Sequence, residues 1–349
     1  MTSKIMKAAV INAKGAPDVL VYSDVPKPQV KPGQILVRNE AAGINFAEVE
    51  RRRGGFYPVP TPTPYILGGE YAGVIEEVGP GVEGLAVGDE VFGVTDPFSS
   101  GCYAQYAAVL AASAIKLPQG VSKAQSTALL IQGMTAYWLL KEGVKLEPGK
   151  AVLVMAAAGG VGSLAVQIAR LMGAGTVIGC AGSAEKRQAV LNLGADHAID
   201  YSGSDWDQQV RDLTGGRGVD GALVMTGGDS LMTALGCVAP FGIARIYGTA
   251  NGEPPRLDFG ELFAKERMMT NQVLGFFNVG NHVFPMGALP PQEAARNYRE
   301  SIGQMAEWVR DGKLKVETTA FPLSQAAAAH RAIETRNSTG KVVLAPWVD

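Results

Sequence analysis

At 349 residues the chain exceeds the usual size of one hydrophobic core, so two domains are expected. Its 31 lysines and arginines nearly cancel 33 aspartates and glutamates, and no long block of one sign appears; a nucleic-acid partner finds no support, and a small molecule fits better. Cys102, Cys180 and Cys237 lie far apart and form no C-x-x-C pair, which argues against a disulfide framework or a four-cysteine zinc lobe and suits a reducing cytoplasm.

MTSKIMKAAV at the start has no apolar signal-peptide core, so export is not expected. From Lys4 to about Leu117, strand candidates (KAAVI, GQILVRNEAAG, EYAGVIEEVG, GDEVFGV, YAQYAAV) alternate with glycine and proline, the pattern of a compact, mostly β domain. Within it Phe46 to Arg53 reads as a short helix with Asn45 at the N-cap and Gly54-Gly55 as its stop. The run Arg51-Arg52-Arg53 on that helix is expected to be a solvated face rather than a phosphate-steering patch. The acidic pairs Glu76-Glu77 and Asp89-Glu90 fall in strand and turn signatures and carry no acid-base role. YPVPTPTPY, from Tyr57 to Tyr65, is too rich in proline for helix or central strand and is expected to be a rigid surface loop.

Near Ser122 the pattern turns helical, and from Ala151 to Phe277 six strand candidates alternate with five helix candidates, which predicts a doubly wound parallel sheet. The uncharged run Ala151 to Ala169 is long enough for a membrane helix, but its central glycines favour a strand, a turn and a helix, so no membrane span is expected. That turn, AAAGGVG from Ala156 to Gly162, aligns with the dinucleotide fingerprint G-x-G-x-x-G, with Ala157 in the first glycine's place, Gly159 in the second and Gly162 in the third. Ala158, Gly159, Gly160, Val161 and Gly162 are the candidate pyrophosphate cradle, aided by the free N–H groups of the helix start. The residues directly after the second strand TVIGC are Ala181, Gly182 and Ser183, with no carboxylate among them; Ser183, Lys186 and Arg187 supply a hydroxyl and cations, a set suited to the 2′-phosphate of NADPH as well as to an ordinary helix start.

After Phe277 a long amphipathic helix near Gln292 to Val309, KVETTAFP, a second helix and the strand KVVLAP close the chain. They are expected to complete the first domain. The predicted division is 1–127 with 278–349 for the β domain and 128–277 for the inserted cofactor domain.

GINFAEV, GGEYAGVIEEVG, GDEVFG, GMTAYWLL, AAAGGVGSLAVQIA, GADHAIDY and TGKVVL follow one another in order. Together they resemble the zinc-independent, zeta-crystallin-like quinone oxidoreductases of the medium-chain dehydrogenase/reductase superfamily, over nearly the whole chain. The resemblance implies an α/β protein in which a Rossmann domain is inserted into a GroES-like catalytic domain, with NADPH as hydride donor, a cleft between the domains, a small-molecule electron acceptor and a homodimer. It matches Asn45 and Thr135 to positions beside the nicotinamide, Tyr57 to the substrate pocket and Tyr201 to the adenosine side. Asn45 also suits the helix cap, and Thr135 a bond to its own helix. Thr226, Gly248, Phe276 and Phe277 end the fourth, fifth and sixth strands, whose carboxyl ends face the ligand crevice; the two phenylalanines suit a dimer core almost as well.

Zinc-dependent relatives carry a cysteine where Asn45 stands and a histidine where Gly69 stands in Gly68-Gly69-Glu70, so no catalytic metal is expected. Two positions depart from the family's pattern. Glu50 replaces a pocket tyrosine and is expected to make the mouth more acidic, and Met225 precedes Thr226 where relatives often have aspartate. Reduction of a quinone, or of the carbon-carbon double bond of an enal, enone or enoyl thioester, is the expected reaction; a non-catalytic NADPH-binding sensor, structural or RNA-binding protein is the alternative of another class.

Overall fold

The computed structural model describes residues 4–55, 59–95, 101–203, 205–250, 252–264, 267–284 and 287–348. Tyr57, matched to the substrate pocket by the resemblance, lies outside them. The chain forms two compact units, residues 1–131 with 316–349 and residues 132–315.

The first unit is built on β3 (Gln34–Gly43). It follows β1 (Ile5–Ile11) and β2 (Leu20–Pro26), an antiparallel pair that β4 (Tyr65–Ile66) extends. Helix α1 (Phe46–Arg53) leaves directly from the end of β3. β5 (Glu70–Val78) and β7 (Tyr106–Leu110) both pair with β3 antiparallel, and β6 (Glu90–Val94) joins β5 to the two-residue β8 (Ile115–Lys116). Alternating residues of these strands, such as Ile35 and Val37, enter one core with Tyr71, Ile75 and Val91. Helix α2 (Lys123–Ala128) opens with a reciprocal cap between Ser122 and Gln125.

The second unit opens with α3 (Met134–Trp138) and then alternates as the sequence predicts: β9 (Ala151–Val154), α4 (Gly160–Leu171), β10 (Thr176–Cys180), α5 (Ala184–Asn192), β11 (His197–Ile199), α6 (Trp206–Leu213), β12 (Val219–Val224), α7 (Ser230–Gly236), β13 (Val238–Ile246), α8 (Phe259–Ala264) and β14 (Val273–Phe276). The sheet order is β11-β10-β9-β12-β13-β14, and each neighbouring pair is parallel. Counted within this sheet the order is 3-2-1-4-5-6, the two-winged arrangement of dinucleotide-binding domains. The buried runs of β9 and β12 supply its centre, as strands covered on both faces require.

Helices α9 (Gly280–Val283) and α10 (Pro291–Arg310) belong to this second unit, whereas the sequence pattern assigns everything after residue 277 to the first. Their packing explains the difference. Asn297 of α10 donates to the His282 carbonyl at 3.1 Å, and Lys141 pairs with Glu300 at 2.7 Å. Beyond α10, the Gln167 amide on α4 bonds both the N–H (2.8 Å) and the carbonyl (2.9 Å) of Lys315. Amphipathicity announces a buried face, but not which core receives it. The chain returns to the first unit at 316, where β15 (Thr318–Pro322) runs parallel to β16 (Lys341–Ala345) and α11 (Ala326–Glu334) connects them.

Candidate active site

In the first unit, strand register brings a set of buried polar groups together. β16 runs antiparallel to β3 with Val343 opposite Gly43 and Leu344 opposite Ala42, so the same register carries Lys341 to Asn45, just past the end of β3. β5 lies on the other side with Ala72 opposite Ala41, which carries Glu70 to Gly43. A Cβ at Gly43 would fall on Glu70 Oε2 and on Lys341 Cε, so the missing side chain is what leaves room for the pair.

Lys341 Nζ lies 2.6 Å from Glu70 Oε2, and neither side chain has any exposed surface. Lys341 also donates to Asn45 Oδ1 at 2.9 Å, while Glu70 Oε1 accepts the N–H of Ile131 at 2.9 Å. Glu48 completes the cluster from the first turn of α1. One of its oxygens accepts the Asn45 N–H at 2.8 Å and the other accepts the Gly69 N–H at 3.1 Å. Burial, then the neighbouring Glu70, raises the Glu48 carboxyl to about 7, although Lys341 and the two N–H donors pull the other way.

Asn45 therefore stands at the helix N-cap as expected, but its carboxamide oxygen is taken by a lysine from the far end of the sequence. Sequence reasoning missed Lys341 and Glu48. The signals available were a lysine opening the otherwise apolar strand KVVLA and a glutamate three residues after a capping asparagine.

The three arginines of α1 are not a solvated face. Arg51 and Arg52 are almost fully buried. Arg51 donates to Thr61 Oγ1 and to the Tyr65 hydroxyl, each at 2.6 Å; Arg52 pairs with Glu334 at 2.6 Å and bonds the Gly15 carbonyl at 2.5 Å. These tertiary partners fasten the helix to the proline-rich loop and to α11, so the run is structural and offers no open phosphate patch. The Glu50 carboxylate is offset by Arg53 at 3.2 Å, which limits the acidity it adds.

In the second unit the cofactor candidates gather along the carboxyl edge of the parallel sheet, as the strand order requires. Gly159 caps α4, and a Cβ at Gly162 would fall on the Ala156 carbonyl, the close helix-strand approach that the third fingerprint glycine permits. Ala156 itself takes φ 50°, so the turn's left-handed residue is an alanine, one place before the first fingerprint position at Ala157. Ser163 N–H already bonds the Gly159 carbonyl at 2.9 Å. The N–H groups of Gly160, Val161 and Gly162 in the first helical turn have no carbonyl four residues back within the helix, which makes them candidate donors for an anion.

At the end of β10, Ser183 caps α5, its Oγ accepting the Lys186 N–H at 3.3 Å. Arg187 reaches across to Asp200 at 2.7 Å, which covers the one carboxylate ending β11, beside Tyr201. Hydrogen bonds from Ser202 and the Arg187 charge hold the Asp200 carboxyl below its ordinary value, which favours its ionised form beside that arginine. After β12, Thr226 is buried and its Oγ1 accepts from Ser230 at 2.7 Å. A Cβ at Gly248 after β13 would fall on the sulfur of Met225, so the unusual methionine is seated against a glycine of the neighbouring strand end.

Thr135 lies on α3, buried, and its carbonyl accepts the Leu139 N–H. Phe277 is buried and stacked on His282 with ring centroids 5.1 Å apart, whereas Phe276 is 75% exposed on the sheet's outer strand. The two phenylalanines expected to act together thus face different surroundings.

Residues 31–119 match the alcohol dehydrogenase GroES-like domain, and residues 160–288 match the zinc-binding dehydrogenase family. A 2-haloacrylate reductase of a Burkholderia species is 36% identical, the match covering 98% of this chain and 99% of that protein. The chain belongs to the quinone oxidoreductase family of the medium-chain dehydrogenase/reductase superfamily. The solved quinone oxidoreductase of Pseudomonas syringae pv. tomato superposes with a TM-score of 0.86 at 34% identity, covering 98% of this chain and all of that one. The Escherichia coli quinone oxidoreductase, solved in complex with NADPH, gives 0.87 at 28% identity with the same coverage. Asn45 and Gly69 stand at the positions that the resemblance assigns to zinc ligands in zinc-dependent members of the superfamily, and among the described residues no group of three or more His, Cys, Asp and Glu side chains is placed to hold a metal ion.

Proposed function

We propose that the protein is an NADPH-dependent reductase whose acceptor is a quinone or a related conjugated carbonyl compound. The observation that carries this reading is the carboxyl edge of the second unit's sheet, where a glycine-cleared helix start lies next to a strand end whose next residues, Ala181, Gly182 and Ser183, carry no carboxylate, with Lys186 following Glu185 in the first turn of α5. The cradle fits a dinucleotide: Ala158 to Gly162 would hold the pyrophosphate, Ser183 and Lys186 the 2′-phosphate, and Tyr201 the adenosine side. Thr226, Gly248, Phe276 and Phe277 end the other strands of the same sheet, with Phe277 nearest to a packing role.

When bound, NADPH supplies the hydride that reduces the acceptor. Asn45 and Thr135 would fix the nicotinamide and the acceptor carbonyl by hydrogen bonds, and the proton that balances the hydride would come from water or from the Tyr57 hydroxyl.

A second reading, reduction of an activated carbon-carbon double bond, is favoured by the 36% identity to the protein named 2-haloacrylate reductase. Following NADPH oxidation against 1,4-benzoquinone, 2-chloroacrylate, an enal and an enoyl thioester separates the two. Turnover of quinone alone supports the first reading, turnover of olefins alone the second, and no rate above the enzyme-free control with any acceptor sinks both.

The assembly we propose is a homodimer through the outer edge of β14. That strand pairs only with β13 among the described residues and presents Phe276, while Phe259, Phe263 and Met269 nearby are each more than 60% exposed. Light scattering should give twice the 36.5 kDa chain mass, and Phe276→Asp should shift it toward the monomer; a monomeric parent discards the idea. The three free cysteines are all buried, which supports a cytoplasmic setting. Among the described residues no helix is long and apolar enough to cross a membrane.

A further inference from the structure

We propose that Lys341 is a positioning residue for the acceptor: held by Glu70, it fixes the Asn45 carboxamide so that the Nδ2 hydrogens, and not the oxygen, are presented to the acceptor's carbonyl oxygen. This rests on the reading of Asn45 as an acceptor contact.

The chemistry of the donor settles the amide's orientation. An ammonium only donates, so the Asn45 atom 2.9 Å from Lys341 Nζ is the oxygen, and the other end of the carboxamide is the NH2 group. Among the described residues the Nδ2 group makes no hydrogen bond, although Asn45 is only 6% exposed. Its backbone is fixed as well, because Glu48 holds the Asn45 N–H. The side chain is thus constrained at its oxygen and at its root, with two donors left over.

The cation doing this is itself immobile. Lys341 has no exposed side-chain surface, is 2.6 Å from Glu70, and is admitted by the absent side chain of Gly43. Taking a lysine and a carboxylate out of water carries a desolvation penalty that a structural role alone meets more cheaply with apolar residues. What the lysine adds is an ammonium hydrogen bond on the carboxamide oxygen, which polarises the amide's N–H bonds toward a carbonyl oxygen that gains negative charge as hydride arrives. The positions of two family zinc ligands, Asn45 and Gly69, are both bonded into this cluster, so an organic cation lies behind the place where zinc-dependent relatives use a metal.

The test removes the pair together, to avoid leaving one buried charge alone. Lys341→Met/Glu70→Gln has no donor for Asn45, whereas Lys341→Gln/Glu70→Gln restores an amide donor at that place. With 1,4-benzoquinone, or 2-chloroacrylate if that is the better acceptor, the Met form should lose about tenfold to hundredfold in kcat, with NADPH affinity held within about twofold. The Gln form should recover most of the loss. Asn45→Ala should lose a similar factor, and adding it to the Met form should cost almost nothing more, because both changes remove one interaction.

Equal rates in the Met and Gln forms, or independent and multiplying losses, overturn the proposal while leaving Asn45 as an acceptor contact. A harmless Asn45→Ala overturns that contact and the proposal with it. If the Met form lacks a cooperative melt, the Asn45 side-chain 15N relaxation of the unaltered protein decides. An order parameter like that of the rigid backbone supports a fixed carboxamide, and a freely reorienting one overturns it.

Discussion

Glu48, Glu70 and Lys341 in the first unit are ionisable side chains withdrawn from water, and each is answered by another part of the same chain. The cradle between β9 and α4 in the second unit carries no charged side chain; its donors are backbone N–H groups, and its defining feature is the Cβ that Gly162 lacks. One region is closed on itself by side chains. The other is left open by their absence. The contrast teaches where each is vulnerable: the first to loss of a charge, the second to gain of a methyl group.

The largest effect should come from breaking the first region unevenly. Lys341→Met alone leaves Glu70 buried without its cation and should cost about 3–5 kcal/mol in unfolding free energy, whereas the neutral pair Lys341→Met/Glu70→Gln should recover much of it. Denaturant titration of the two variants checks this. Equal losses would mean that the charges act independently.

Protonation sharpens the same point. The Glu48 carboxyl rises from 4.5 to about 7 in the folded protein, so its contribution to stability is complete below pH 4.5 and is lost as pH rises through 7. At 1.36 kcal/mol per unit the span is at most about 3 kcal/mol. Glu48→Gln, which cannot ionise, should flatten the fall in melting stability between pH 5 and 7.5; an unchanged slope assigns the dependence to other groups.

In the open region the damaging change adds atoms. Gly162→Ala drives a methyl group onto the Ala156 carbonyl and should cost about 1–3 kcal/mol while weakening NADPH. Calorimetric melting and fluorescence titration of the cofactor measure both, and a variant with intact melting and intact affinity would show that the helix start has slack.

The smallest effect concerns cofactor choice. Lys186→Ala should weaken NADPH by about tenfold and leave NADH nearly unchanged, as removal of one charge-assisted contact implies. Equal losses for both cofactors would give Lys186 a structural role instead.

Much of the second unit was legible because its signals are local. Buried strands, a glycine turn and a following helix each declare themselves within a dozen residues, and five strand-helix repeats closed by a sixth strand leave few topologies. The assignment of α10 failed for the complementary reason. PQEAARNYRESIGQMAEWVR says that one face is buried, but its destination depends on Gln167, His282 and Lys141, contacts no local pattern encodes. The arginines of α1 were misread similarly: three adjacent cations read as a wet surface, until Thr61, Tyr65 and Glu334 are brought to them.

By itself the sequence determined the two-part architecture, the parallel sheet and the glycine turn at Ala156 to Gly162, because residue types at short spacing suffice for each. Only the tertiary structure decided that Lys341 meets Asn45 across 296 residues, that Glu70 meets Gly43, and that the Glu48 carboxyl is raised to about 7. Sheet register and burial set those outcomes, and both depend on strands that the chain visits far apart.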